Sequence, residues 1–163
     1  MGVALKTYYL EMTAPQDLRP VDLKRPEIQV IQAQVPCPAF NRFLYKSVGE
    51  AWSWTDKLEW SKEQWSDYVC RPDLQTWVAY FSGTPAGYFE LEKHCESVEI
   101  AYFGLFPQFI GQGIGGHLLT CAVEQAWAME VQRIWVHTCT LDHPSALSNY
   151  QARGFRVFKR EQP

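Results

Sequence analysis

The most constraining feature of the sequence is a glycine-rich turn late in the chain, Gly111–Gly116 (GQGIGG). It follows a β-forming stretch over residues 97–106. After it, apolar residues recur at the spacing of one helical face, at Ile114, Leu118, Leu119, Ala122, Val123, Ala126 and Trp127. Glycines between a strand and a helix let the backbone approach a ligand, and the free N–H groups of the first helical turn favour an anion. The turn therefore predicts a phosphate site, and a tight turn without a ligand fits the same pattern.

The remaining patterning predicts an α/β fold of the α+β type. Strands are predicted over residues 6–12, 27–35, 76–82, 86–93, 97–106, 133–138 and 155–159. Helices are predicted over residues 40–52 and 61–68, from residue 113 onward, and in a short segment ending at 152. Short turns near residues 83 and 95 favour antiparallel hairpins, and the helix after Gly113 favours one parallel crossover. A chain of 163 residues is sufficient for one domain with a mostly antiparallel central sheet flanked by helices.

Charge and composition narrow the class of partner. The formal net charge is only −3 and the basic residues are scattered, which argues against a nucleic-acid or anionic-membrane surface. Lys6 and Glu11 interrupt the first apolar stretch, and no run approaches the roughly 20 apolar residues of a membrane helix. The five cysteines are odd in number and widely spaced, which predicts reduced thiols. We expect a cytoplasmic protein that acts on a small molecule.

The glycine turn also satisfies the dinucleotide fingerprint G-x-G-x-x-G through Gly111, Gly113 and Gly116. That fold needs several parallel βαβ units after the loop and an acidic residue about 20 positions further on. Only 47 residues follow Gly116, and the next predicted strand ends at His137-Thr138 without a carboxylate. The dinucleotide interpretation is therefore disfavoured.

A second motif downstream favours coenzyme A. Residues 105–119, from Leu105-Phe106-Pro107 through the turn, resemble the coenzyme A-binding segment of the GCN5-related N-acetyltransferases (GNAT). Residues 146–155 (ALSNYQARGF) resemble the late A-x-x-x-Y-x-x-x-G-F element of that family. Two motifs in this order are more specific than either alone. The resemblance implies a GNAT-like fold with acetyl-CoA as co-substrate and no metal, with residues 97–160 as the acetyl-CoA-binding core and 1–75 on the acceptor side.

The resemblance also implies which residues hold the coenzyme. The backbone of Phe103 and Leu105 would pair with the pantetheine arm like an added strand. The other predicted contacts are Gly111, Gln112, Gly113, Ile114, Gly115, Gly116 and Asn149.

Two positions depart from the family pattern. Ile110 stands where the family usually has Gln or Arg, so backbone N–H groups must hold the pyrophosphate; the register through Gln108 fits the helix less well. His143 stands where the family often has Asn, and Ser145 or Asn149 is a candidate substitute.

Acetyl transfer to an amine needs a base for the amine and an acid for the departing thiolate. Tyr150 matches the family's tyrosine near the sulfur and is the candidate acid; a core aromatic explains the same residue. Glu99 is the candidate base, because residues 98–103 resemble the strand that presents a glutamate to the amine. An outward-facing Glu99 is equally compatible, and Glu90, Glu92 and His137 are alternatives. Strand alternation predicts that Glu99, Ala101 and Phe103 share one face.

The acceptor side is rich in aromatic residues, which suits a hydrophobic or aromatic amine, although core packing explains most of them. The candidates for the pocket wall are Phe43, Tyr45, Trp52 and Trp54. The sequence thus predicts an N-acetyltransferase that transfers acetyl directly to a small-molecule or peptide amine. The alternative is a non-catalytic acyl-CoA-binding or regulatory module. The sequence allows a homodimer.

Overall fold

The computed structural model describes residues 5–163. Within that range the chain forms one α/β domain with a seven-stranded sheet and four α-helices. The strands are β1 (Thr7–Met12), β2 (Ile28–Gln32), β3 (Leu74–Phe81), β4 (Thr84–His94), β5 (Ser97–Leu105), β6 (Arg133–Cys139) and β7 (Arg156–Glu161). The helices are α1 (Pro38–Gly49), α2 (Lys62–Val69), α3 (Ile114–Trp127) and α4 (Ala146–Ala152).

The strand order across the sheet is β2-β3-β4-β5-β6-β1-β7. Every neighbouring pair is antiparallel except β5 and β6, which are parallel and joined by helix α3. This confirms the predicted mixed, mostly antiparallel sheet and its single crossover. The first strand lies between the last two, where it pairs with β6 on one side and β7 on the other. Nothing in the local sequence of β1 indicates that position, because it depends on pairing across the whole chain.

The two faces of the sheet are covered by different helices. Alternation along β4 directs Phe89 and Leu91 into the main core, where the apolar face of α3 packs. Tyr88, which directly precedes Phe89, points to the opposite face and packs against Leu44 and Val48 of α1. The predicted apolar stripe of α3 is confirmed, since six of its seven residues are buried and Trp127 packs against the same core.

Local sequence signals explain the ends of α1 and α2. Helix α1 begins at Pro38 rather than residue 40, because proline's fixed φ suits the first helical position. A 3₁₀ turn continues it to Trp52, and Ser53 ends it with a φ of 61°. At α2, Ser61 is the N-cap, and its side chain and that of Gln64 form a reciprocal capping box.

One extra residue in β5 changes which side chains share a face. Glu90 is paired with Tyr102 and Leu91 with Ile100, so Ala101 between them is a β-bulge. Glu99 therefore shares a face with Tyr102, whereas Phe103 packs on the α3 side against Tyr150. The predicted common face of Glu99 and Phe103 is wrong, because a bulge reverses the alternation.

The structure also bears on the cysteines and on membrane-spanning helices. All five cysteines have free thiols, as expected. No helix within residues 5–163 has both the length and the apolar character needed to cross a membrane.

Candidate functional site

Strands β5 and β6 separate after a short common stretch. They pair over only three residues of each strand, Ser97 to Glu99 with Arg133 to Trp135. Beyond Glu99, β5 keeps its ladder with β4 alone, so one edge of its backbone faces open space. A cleft of about 1090 Å³ fills this space. Residues predicted for the coenzyme and residues predicted for the acceptor both line this cleft.

The glycine turn forms one end of the cleft. Gly111 and Gly113 have φ values of 88° and 81°, which favour glycine, and Gly113 is the N-cap of α3. No side chain among the described residues caps this helix, so its first N–H groups have no intrahelical or side-chain partner. Ile114 is fully buried in a small core and is not among the residues that line the cleft. The turn thus presents unpaired backbone N–H groups, which suit an anion, and its predicted role as a phosphate site stays a prediction.

Helix α4 lies beside the first turn of α3. The Asn149 Nδ2 donates a hydrogen bond of 3.3 Å to the carbonyl of Gly115. The Ser145 backbone N–H donates to His143 Nδ1 at 2.9 Å, and the His143 ring packs edge-on against Trp52 at 5.0 Å. The side-chain amide of Asn149 therefore links the two segments that are predicted to bind coenzyme A, the glycine turn and α4.

Tyr150 lines the cleft from α4. It is 5% exposed, and its ring packs against Phe103 and Phe155 at centroid distances of 6.1 and 6.0 Å. Its hydroxyl has no hydrogen-bond partner within residues 5–163. Burial, and to a smaller extent Asp142, raise the pKa of Tyr150 above its ordinary value. The phenol therefore stays protonated and has a free donor, which is what a general acid needs.

Glu99 lies at the point where the strands separate. Its Oε2 is 3.6 Å from Nδ1 of His137 on β6, and both side chains line the cleft. Burial raises the pKa of Glu99, and the nearby imidazole of His137 opposes that rise. A carboxylate with a raised pKa is a better base at neutral pH than a solvated one. The structure thus brings together two of the candidate bases.

Glu92 lies directly opposite Glu99 on β4 and shares its face with Glu90, as predicted. Its Oε1 accepts from Arg71 Nη1 at 3.0 Å and lies 3.3 Å from His94 Nε2. Ligand atoms of Glu92, His94 and Glu99 lie within 4.8 Å of one another, so this group could hold a cation. Arg71 already neutralises Glu92, which competes with such a cation. The absence of a metal stays a prediction.

The aromatic end of the cleft contains Tyr45, Trp52 and Trp54. Tyr45 packs edge-on against Trp65 and Tyr102, so it belongs to a small core as well as to the wall. Phe43 is different: it is 49% exposed, lies outside the cleft lining, and packs against Phe40 and Phe106.

The comparisons with known proteins agree with this architecture. Residues 39–155, well over half of the chain, match the model of the Acetyltransferase (GNAT) family. The chain belongs to this family. No curated protein sequence matches it significantly.

Solved GNAT structures share the fold at low sequence identity. A GCN5-related N-acetyltransferase from Sphaerobacter thermophilus superimposes with a TM-score of 0.71 at 16% identity, over 98% of this chain and 50% of that one. An aminoglycoside acetyltransferase from an uncultured soil metagenomic sample gives 0.61 at 14% identity, over 78% and 87%. An IAA acetyltransferase from Bacillus cereus ATCC 14579 gives 0.60 at 28% identity, over 80% and 79%. The chain spans only 50–58% of the length of several similar structures.

Lys57 is a cleft residue of this GNAT chain that the sequence analysis missed. Its Nζ donates to the Tyr102 hydroxyl at 2.8 Å and lies 4.6, 4.9 and 4.8 Å from the ring centroids of Trp60, Tyr68 and Tyr102. Burial lowers the pKa of Lys57. Only the density of aromatic residues near Lys57 in the sequence could have drawn attention to it.

Glu90 lies behind the cleft wall. It is 2% exposed, and its Oε1 accepts from Asn41 Nδ2 at 3.2 Å. Burial raises the pKa of Glu90 to about 7, against the Asn41 hydrogen bond and the charge of Lys57. Among the four candidate bases, Glu90 is the one that does not line the cleft.

Proposed function

We propose that the chain is an acetyl-CoA-dependent N-acetyltransferase that transfers acetyl directly to an amine within a ternary complex. One observation carries the proposal. Tyr150, with a free and protonated hydroxyl, and Glu99, with a raised pKa, face the same cleft along an unpaired strand edge. Direct transfer is accelerated by a base that deprotonates the amine and an acid that protonates the departing thiolate.

Family membership implies an acyl-CoA co-substrate, and the residues present fit one. The uncapped N–H groups after Gly113 suit the pyrophosphate. The free backbone edge at Phe103 and Leu105 suits the amide groups of the pantetheine arm. The bound thioester supplies an activated acyl group. These contacts depend on backbone atoms, so Ile110 in place of Gln or Arg does not remove them.

The proton transfers follow from the two side chains. Glu99 accepts the proton of the acceptor ammonium, and His137 beside it stabilises the carboxylate until it does so. The neutral amine then attacks the thioester carbonyl, and the C–S bond breaks as the new C–N bond forms. Tyr150 donates its phenolic proton to the departing thiolate, and the proton that the amide nitrogen loses after the attack restores the phenol. Glu99 returns its proton to solvent.

The charges around the cleft favour a cationic acceptor. Its acidic lining residues are Asp56, Glu92, Glu99 and Asp142. Lys57 is the single lysine or arginine among the described residues of this lining, and aromatic rings surround its ammonium group. An amine that carries its positive charge at neutral pH would be attracted by this field. We therefore propose a small-molecule amine with an apolar or aromatic portion against Tyr45, Trp52 and Trp54. The similarity to the IAA acetyltransferase, at 28% identity, supports acetyl transfer as the chemistry.

The test is free coenzyme A release from acetyl-CoA across a panel of amines: alkyl diamines, arylalkylamines, an amino acid and a lysine peptide. Turnover of a cationic small amine supports the proposal. Tight acetyl-CoA binding without turnover of any amine would instead support the non-catalytic acyl-CoA-binding module.

Tyr150→Phe tests the acid. We expect kcat to fall by roughly 10²- to 10⁴-fold, because the thiolate would leave without a proton donor. The dissociation constant of acetyl-CoA should change less than about threefold, since that hydroxyl makes no structural hydrogen bond. Tyr80→Phe on β3, outside the cleft lining, is the matched control. Unchanged turnover in Tyr150→Phe would remove the general-acid role.

A further inference from the structure

The anion site at the glycine turn has a side-chain neighbour on another element. The side chain of Ile110 offers no hydrogen-bond donor to a phosphate. A pyrophosphate held only by neutral backbone groups lacks the charge-assisted hydrogen bonds that make phosphate contacts strong. Among the described residues, Arg153, which directly follows α4, places a cation against the first turn of α3.

The guanidinium of Arg153 lies against Gly116. A Cβ atom placed on Gly116 would be 2.7 Å from Arg153 Nη1 and 3.8 Å from Cζ. The guanidinium therefore occupies the space that a side chain at position 116 would need. Because helical Cβ atoms tilt toward the N-terminus, this space flanks the open end of α3. The guanidinium thus lies beside the first turn of α3, next to the cleft residue Gly116, although Arg153 itself is not one of the lining residues.

The guanidinium of Arg153 makes no hydrogen bond or ion pair within residues 5–163. Its Nε is buried without a hydrogen-bond partner, and Arg153 forms no ion pair with a carboxylate within residues 5–163. Arg25, Arg71 and Arg133 each pair with a glutamate at 3.3 Å or less. A guanidinium has five donors, and leaving a buried donor unpaired costs free energy. An anion at this site would provide the missing partner.

The backbone holds Arg153 in place. Its N–H donates to the carbonyl of Asn149 at 3.1 Å, and its carbonyl accepts from the Arg19 N–H at 2.9 Å. One helical turn earlier, Asn149 binds the carbonyl of Gly115. Helix α4 is therefore fixed against the first turn of α3, so little ordering of the chain is needed before an anion binds.

From this geometry we propose that Arg153 is a coenzyme-binding residue whose guanidinium contacts the pyrophosphate, together with the backbone N–H groups after Gly113. From the position directly after α4, it supplies the donor group that Ile110 does not supply. The inference rests on the proposed function, since it presumes that coenzyme A binds at this turn.

The experiment titrates coenzyme A and 3′-dephospho-coenzyme A into the wild-type chain, Arg153→Gln, Arg153→Lys and Arg156→Gln. Arg156, an exposed residue of β7, is the control. We expect Arg153→Gln to raise both dissociation constants by roughly 10- to 100-fold, as for a lost charge-assisted hydrogen bond. Arg153→Lys should lose less, because it keeps the charge without the fork. Arg156→Gln should bind like the wild type.

A second measurement separates binding from folding. Acetyl-pantetheine carries the thioester without the pyrophosphate, so Arg153→Gln should use it as a donor as well as the wild type does. Unfolding of the ligand-free variant reports its fold directly. Equal loss with acetyl-pantetheine would assign Arg153 a structural role and overturn the inference, as would a loss for coenzyme A that is absent for the dephospho form. Tight coenzyme A binding unchanged in Arg153→Gln would overturn the inference alone, whereas a wild-type chain that binds no coenzyme A would overturn the proposed function.

Discussion

The two ends of the cleft use different chemistry. At the glycine turn, the polar groups facing the cleft are backbone N–H groups, and Ile114 of the turn is buried and apolar. At the other end, the polar groups are side chains: Glu99 with its neighbour His137, and Lys57 within three aromatic rings. The polar groups at the first end come from the backbone and therefore from the fold, whereas those at the second end come from the particular side chains of this sequence.

The difference has consequences for substitution. Backbone donors stay in place when side chains change, so a site built from them depends less on individual side chains than a site built from charged residues does. Side-chain charges set the acceptor and its pH dependence, and they change with single substitutions. Substitutions at the acceptor end should therefore alter rates and pH profiles without altering the affinity for coenzyme A.

Glu99→Gln should have the largest effect on catalysis, and it tests whether the acceptor end can change without a change in the affinity for coenzyme A. We expect kcat/KM for the amine to fall by roughly 10²- to 10⁴-fold, because the amide cannot accept the proton. In the wild type, the rate should rise with pH as Glu99 loses its proton at a pKa above the ordinary value, and this acidic limb should disappear in the variant. The measurement is a pH–rate profile beside a coenzyme A titration. Glu96→Gln, in the exposed β4–β5 hairpin, is the control. A large change in coenzyme A affinity would show that the two ends are not separable.

Glu90→Gln tests whether the buried carboxyl group behind the cleft wall makes the free energy of unfolding depend on pH. Burial raises the pKa of Glu90 from 4.5 to about 7, so ionising it destabilises the native state progressively as pH rises through that range. The variant should be more stable than the wild type above pH 7 by about 3 kcal/mol, and the difference should vanish below pH 4.5.

Urea unfolding at pH 5 and pH 8 measures this difference. Asn41, Lys57 and Arg71 are the polar and charged groups that lower the pKa of Glu90 against the effect of burial, and all three are retained in the variant. Glu124→Gln on the exposed side of α3 should show no such pH dependence. A variant less stable than the wild type at pH 8 would mean that Lys57 stabilises an ionised Glu90.

Lys57→Met should have the smallest effect of these substitutions, a change in KM for the amine alone. Removing the ammonium leaves the acidic lining unopposed, so KM for a cationic amine should fall by about fivefold, the Coulomb energy of one nearby charge in water. The affinity for coenzyme A should not change. Lys62→Met, exposed on α2, is the control. A higher KM would indicate that Lys57 binds the acceptor directly.

Much of the fold was predictable from local patterns. The apolar stripe of α3, the hairpins of β3 to β5 and the parallel crossover follow from periodicity and turn chemistry, which act over a few residues. The bulge at Ala101 was not predictable, because residues 98–103 read as an ordinary strand. Its consequence is large, since it turns Tyr102 to the same face as Glu99.

Some residues of the candidate site were likewise predictable from local sequence, and others were not. The two motifs were enough to name the glycine turn and Tyr150, whose roles stay predictions. Lys57 and Arg153 could not be selected, because their surroundings come from segments far apart in the chain. By itself the sequence determined the family and the order of strands and helices, and it predicted a backbone anion site at the glycine turn, because all of these depend on neighbours in the chain. Only the tertiary structure decided where β1 pairs, which side chains share the cleft, and which buried charges remain unpaired, because burial and Coulomb interactions act through space.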